Sequence, residues 1–128
     1  MTNKIHDLGV ARQIGTYSDA VEAPANARWL VTAGTPGLGL DGTVPAGIAA
    51  QAELAWSHII AMLERAGMSV HDIVKVNQYL VRAADIPAYA QVRARRLGGA
   101  RPASLLLIVP ELVRPDFLLE IEAYAAKA

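Results

Sequence analysis

The stretch Ile73-Val-Lys-Val-Asn-Gln-Tyr-Leu-Val-Arg82 decides the fold, because its β-branched and apolar residues fall on both faces of an extended chain, as in a strand covered within a sheet. Upstream the period changes. Ile48, Ala52, Ala55, Ile59, Met62 and Ala66 recur at three and four residues, which draws one apolar stripe down a helix of about five turns. Arg65 suits the negative end of that helix, and Gly67 stands where a left-handed residue can end it. Ser69 and Asp72 are spaced to cap one short turn before the strand. Downstream, Asp85 is expected to N-cap a second helix with Pro87 in its first turn, running to Leu97 and stopped by Gly98-Gly99. Residues 103–109 and 117–125 read as two closing strands. On the N-terminal side, residues 27–33 (Ala-Arg-Trp-Leu-Val-Thr-Ala) read as a strand, and residues 18–22 are expected to pair with them as a hairpin across Ala23-Pro-Ala-Asn26. The order is β-β-α-β-α-β-β, an α+β fold with two helices on one face of a mixed sheet.

A chain of 128 residues has the length of a single domain, read here as residues 1–128. It is 53% apolar and only 19% charged, with a mean hydropathy of +0.27, more apolar surface than a monomer of this size usually hides. Helices on one side leave the other sheet face bare, so association with further copies is expected. Twelve basic residues balance twelve acidic ones and the pI is about 6.8, so no global field attracts nucleic acid or an anionic membrane. Cysteine is absent, which excludes disulfides, thiolate nucleophiles and cysteine metal sites. Lys4, His6 and Asp7 interrupt the first ten residues, and no later apolar run nears the roughly 20 residues of a membrane span. The expectation is a soluble cytoplasmic protein whose partner is a small molecule.

Gly37-Leu-Gly-Leu-Asp-Gly42 matches a dinucleotide fingerprint as text, but Thr43-Val44-Pro45 separates it from the helix whose amides would hold a pyrophosphate, so it reads as a loop. His6, His58 and His71 lack metal-ligand spacing, and no metal is expected. Ser57 and His58 are neighbours on a helix, about 100° apart around its axis, and cannot form a nucleophile–base pair. Arg93, Arg95, Arg96 and Arg101 form a basic cluster without interleaved aromatics, which reads as a solvated or intersubunit face. Glu120 and Glu122 lie two apart in an otherwise apolar strand and so share one sheet face. Carboxylates about 6–7 Å apart on a poorly hydrated face raise each other's pKa, which suits acid–base work.

Several stretches are familiar together. Gly15-Thr-Tyr-Ser-Asp-Ala20, Leu30-Val-Thr-Ala-Gly-Thr-Pro36, Ala66 to Lys75, Arg101-Pro-Ala103 and Glu120-Ile-Glu-Ala123 resemble motifs of the Rid (YjgF-like, reactive intermediate deaminase) family, once called L-PSP endoribonucleases. The likeness covers about residues 11 to 125. It implies a chorismate-mutase-like fold and a homotrimer whose sheets line a central barrel, with ligand clefts between subunits. It also implies hydrolysis of enamines and imines to ketones and ammonia without a cofactor. By the same resemblance Tyr17 is a cleft tyrosine, Ala33 and Gly34 face the ligand, and Glu120 positions the attacking water. Three positions depart from the pattern. Ser104 replaces the arginine that clamps a substrate carboxylate, Ala90 stands where a polar residue is common, and Leu106 stands where a cysteine often sits.

A bidentate arginine–carboxylate contact is worth about 2–5 kcal/mol when desolvated, and a serine hydroxyl offers one neutral donor instead. Amino-acid-derived imines should then bind poorly unless another cation enters, and Arg114, in the loop before the last strand, is the nearest candidate. The leading expectation is a hydrolase of this class with altered specificity. The alternative is a non-catalytic ligand-binding or regulatory trimer, and a ribonuclease ranks last.

Overall fold

The computed structural model describes residues 2–128. Its longest helix, α1 (Ile48–Arg65), buries Ile48, Ala52, Ala55, Trp56, Ile59 and Leu63 along one side, close to the stripe that the spacing predicts. It ends through Gly67 at φ 70°, with Met68 N–H donating to the Leu63 carbonyl at 2.9 Å and Gly67 N–H donating to that of Glu64 at 3.0 Å. This paired closure satisfies two carbonyls that would otherwise be orphaned, and it folds Met68 back into the core. Ser69 then caps a single turn: its hydroxyl accepts from His71 N–H, and the Asp72 carboxylate accepts from Ser69 N–H. The second helix, α2 (Ile86–Leu97), buries Tyr89, Val92 and Leu97 and stops at Gly98, φ 57°. Asp85 precedes it, but the carboxylate accepts from Arg82 Nε instead of capping the helix.

Seven strands accompany the helices: β1 (Lys4–His6), β2 (Ala20–Glu22), β3 (Arg28–Val31), β4 (Thr35–Pro36), β5 (Ile73–Leu80), β6 (Ala103–Ile108) and β7 (Leu119–Lys127). The main sheet runs β3-β7-β5-β6, with β4 continuing along β7. β5 and β7 are antiparallel, with Tyr79 opposite Glu120 and Asn77 opposite Glu122. β5 and β6 are parallel, with Val76 opposite Ser104 and Gln78 opposite Leu106, as a crossover through α2 requires. Both helices cover one face, where Val76, Leu80, Leu119 and Ile121 join the core. The opposite face keeps Trp29 and Val31 58% and 60% exposed, together with Leu105 and Leu107. The fold is therefore the α+β, chorismate-mutase-like arrangement expected, and no described helix is long and apolar enough to cross a membrane.

The expected hairpin between residues 18–22 and 27–33 does not form. β2 pairs with β1 instead, and β3 pairs with β7. The cause is Asp19, whose carboxylate gathers the backbone N–H groups of Leu8, Gly9, Val10 and Ala11 and pins β1 beside β2. Those amides hold the Asp19 carboxyl below its usual range, those of Leu8 and Ala11 most strongly. With β2 engaged, β3 is free to extend the long β7 ladder.

Candidate functional site

The first half of the site is built by a bulge. Val31 lies opposite Tyr124 and Thr35 opposite Ile121, so three residues, 32–34, face only two, 122–123. Thr32 anchors the irregularity from both ends of one residue: its N–H donates to the Ala123 carbonyl at 3.0 Å, and its hydroxyl accepts from Ala123 N–H at 2.9 Å. The Thr35 hydroxyl donates to the Ala33 carbonyl at 3.0 Å and fixes the far side. Ala33 and Gly34 are thereby swung out over Glu120. A Cβ at Gly34 would sit 2.6 Å from Glu120 Oε2, so only glycine lets the backbone approach the carboxylate this closely.

Glu120 and Glu122 share the sheet face away from the helices, as the spacing predicts. Their environments differ. Glu122 Oε1 accepts from Asn77 Nδ2 and from the Tyr79 hydroxyl, each at 3.0 Å. Glu120 is pushed above the ordinary carboxyl range, first by burial and then by the neighbouring Glu122 charge, and no hydrogen bond offsets either effect. A half-buried carboxylate held above its normal pKa beside an open backbone is suited to take a proton from water.

The second half lies at the sheet edge. The parallel register turns Ser104 and Leu106 toward the helix side, and β6, an edge strand, leaves them open beside α2. Ser18 N–H donates to the Pro102 carbonyl at 3.2 Å and its hydroxyl donates to that of Arg101 at 2.5 Å, which delivers Tyr17 to the same edge. Tyr17, Ala90, Ser104 and Leu106 thus line one cleft of about 440 Å³, joined by Ile86 and Arg93.

Behind that cleft sits Gln78, fully buried in the middle of β5. Its Nε2 donates to Ser104 Oγ at 2.8 Å and to the Leu105 carbonyl at 3.0 Å. Its Oε1 accepts from the Tyr89 hydroxyl at 2.5 Å and from Arg93 Nη1 at 3.3 Å. Both ends of the amide are saturated, as a buried polar group requires. Because Gln78 donates to Ser104 Oγ, that contact leaves the serine proton free to donate elsewhere. Burial raises the Tyr89 hydroxyl well above its ordinary pKa, so it stays protonated and keeps donating.

Within one chain the expected residues form two groups and not one site. Ala33, Gly34 and Glu120 lie on the bare sheet face, while Tyr17, Ala90, Ser104 and Leu106 lie at the far edge on the helix side. Arg114 does not line its own chain's cleft: it pairs with Asp116 at 3.0 Å and rests 4.8 Å over the Phe117 ring. The basic cluster divides as well. Arg95 and Arg96 bind Glu53, each at 2.8 Å, and Arg101 binds Asp7 at 2.9 Å, whereas Arg93 turns into the cleft. The glycine-rich stretch is a loop, with the Asp41 carboxylate accepting from Thr43 and α1 starting only at Ile48.

Gln78 and Arg93 are the residues that sequence reasoning missed as parts of the site. Their signals are legible afterwards. Gln78 occupies a core position between Val76 and Leu80, where a polar side chain needs partners. Arg93 follows Tyr89 and Ala90 by four and three residues, one turn along the same helix face.

Known proteins share this fold and much of this sequence. The family model described as endoribonuclease L-PSP matches residues 10–127. A RutC family protein of Pyrococcus horikoshii is 36% identical, with 99% of each chain covered. Among solved structures, the Rid family protein YyfB of Yersinia pestis superposes with a TM-score of 0.84 at 26% identity, covering 99% of this chain and 100% of the other. TdcF of E. coli, solved with bound serine, gives 0.74 at 26% identity over 90% of each. With the family model spanning nearly the whole chain and a full-length relative above 30% identity, the chain belongs to the Rid/YjgF family, whose model carries the endoribonuclease L-PSP description.

Proposed function

We propose that the chain is a cytoplasmic hydrolase of small imines and enamines. It works as a homotrimer in which the Glu120–Gly34 bulge of one copy closes over the Tyr17–Ser104 cleft of the next. The observation that carries this reading is the separation of the two half-sites: the candidate base and the candidate binding groups cannot meet within one chain. Supporting it, the bare face exposes Trp29, Val31, Leu105 and Leu107, an apolar surface that association would cover.

The chemistry follows from the groups present. An enamine first tautomerises to its imine. As Glu120 accepts a proton from water, the water oxygen bonds to the imine carbon and the C=N electron pair moves onto nitrogen, which takes that proton from Glu120. The hydroxyl proton of the resulting carbinolamine then passes through Glu120 to the amine nitrogen, the C–O bond becomes C=O as the C–N bond breaks, and ammonia leaves the ketone with Glu120 ionised again. The Tyr17 and Ser104 hydroxyls hydrogen-bond the substrate head, and the Gly34 backbone borders its plane. No cofactor enters the scheme.

Replacing Glu120 by Gln keeps shape and removes the base. Ammonia release from freshly generated 2-aminoacrylate is expected to fall by about 10²–10⁴-fold while the oligomer persists. Unchanged release in Glu120→Gln would sink the proposed mechanism. TdcF, with its bound serine, lends weight to a second reading, a trimer that binds small molecules without turning them over. Wild-type protein that accelerates no imine or enamine hydrolysis would favour that reading. A ribonuclease role draws little from the basic residues, because Arg95, Arg96 and Arg101 are already paired with carboxylates.

A further inference from the structure

We propose that Arg93, reaching in from α2, is the anion anchor of the cleft, so that the ligand carries a carboxylate although Ser104 supplies no charge. The proposal rests on the reading that the Tyr17–Ser104 cleft is the ligand site. Three observations support it. Arg93 is half-buried and lines the cleft, yet no carboxylate among the described residues pairs with it, unlike Arg95 and Arg96 on the same helix. A guanidinium in such surroundings stays charged and gains most from an anion that arrives with the ligand.

Its position is also fixed in advance. Arg93 stacks 5.6 Å from the Tyr89 ring centroid and spends one Nη1 hydrogen bond on Gln78 Oε1, which leaves its remaining donors free. Finally, Gln78 donates to the Ser104 oxygen at 2.8 Å, so that contact does not use the serine proton, which is free to donate to a ligand. The cleft thus sets Arg93, Ile86 and Ala90 of α2 beside Ser104 and Leu106 of β6, and a charged fork and a neutral donor among apolar side chains fit a planar carboxylate attached to a small apolar body. In this reading the compensating cation is Arg93 of the helix, in place of Arg114 of the loop before the last strand.

The test is calorimetric titration of the intact oligomer with benzoate and with its neutral isostere benzamide. Wild type is expected to bind benzoate at least tenfold more tightly than benzamide. Arg93→Gln is expected to lose at least tenfold in benzoate affinity with benzamide unchanged, and Arg95→Gln to match wild type with both. Should Arg93→Gln fold poorly, Ser104→Asp serves instead, because a carboxylate placed beside Arg93 should weaken benzoate at least tenfold more than benzamide and so remove the preference for the anion. Equal affinity of wild type for the two probes, no binding of benzoate, or benzoate binding that survives both substitutions overturns the proposal. The hydrolase reading fails separately: charge-selective binding through Arg93 without turnover of any imine or enamine would reject the chemistry and keep the anchor.

Discussion

Gly34→Ala isolates the contact between the bulge and the carboxylate. The added Cβ would stand 2.6 Å from Glu120 Oε2, and ordinary contact begins near 3.4 Å, so the carboxylate must withdraw by about 0.8 Å, the difference of the two. Glu120 is the flexible partner in this clash and its side chain can rotate away, so the fold tolerates the change. Gly34 is exposed and lies outside the left-handed region, and restricting the unfolded chain there should add about 0.4–1 kcal/mol of stability, less whatever the displacement costs. Catalysis is less forgiving, since a misplacement near 1 Å in a reacting group lowers rates by about 10²-fold. The expected result is kcat for ammonia release down by about one to two orders of magnitude, with Tm equal to or slightly above wild type. Both follow from steady-state assays with a freshly generated enamine and from thermal melts of the same samples. A variant with kcat within twofold of wild type would refute the idea that the Glu120 carboxylate works from the position seen here, and a large fall in Tm would refute the account of the bulge.

Four further outcomes follow from the same geometry. Because burial, and then the Glu122 charge, hold Glu120 above the ordinary carboxyl range and it must be ionised to accept a proton, the acidic limb of kcat/KM should lie above that range and vanish in Glu120→Gln. A raised folded-state pKa favours the protonated form, so its stabilisation is complete below about pH 4.5 and lost as pH rises through the raised value; chemical denaturation should find Glu120→Gln more stable than wild type at pH 7 but not at pH 4. Leu107→Asp, on the bare sheet face and outside the cleft, should dissociate the oligomer in sedimentation velocity and abolish turnover together, whereas an active monomer would contradict the shared-site reading. Gln78→Leu strands the Tyr89 hydroxyl in the core and should cost about 1–3 kcal/mol in urea titration, as well as freeing Arg93 and Ser104 from their fixed orientation.

Local chemistry made much of this molecule legible in the sequence. The three-and-four spacing of Ile48 to Ile59, the glycine after α1, the Ser69–Asp72 cap and the two-residue spacing of Glu120 and Glu122 act over a few residues, so the chain spells them directly, although the last turn of α1 buries Leu63 where the spacing pointed to Met62 and Ala66. The family motifs pointed to Tyr17, Gly34 and Glu120 as candidate site residues. What the tertiary structure decided was pairing and side. The Asp19 carboxylate, by collecting amides from residues 8–11, chose β1 and not β3 as the partner of β2. One extra residue opposite β7 turned Gly34 over Glu120, and the parallel register of β5 with β6 sent Ser104 to the opposite face. A strand's side chains alternate, so one step of register reverses every one of them. Whether Arg93 faced solvent or cleft depended on the same long-range register, through Gln78, which no local pattern encodes.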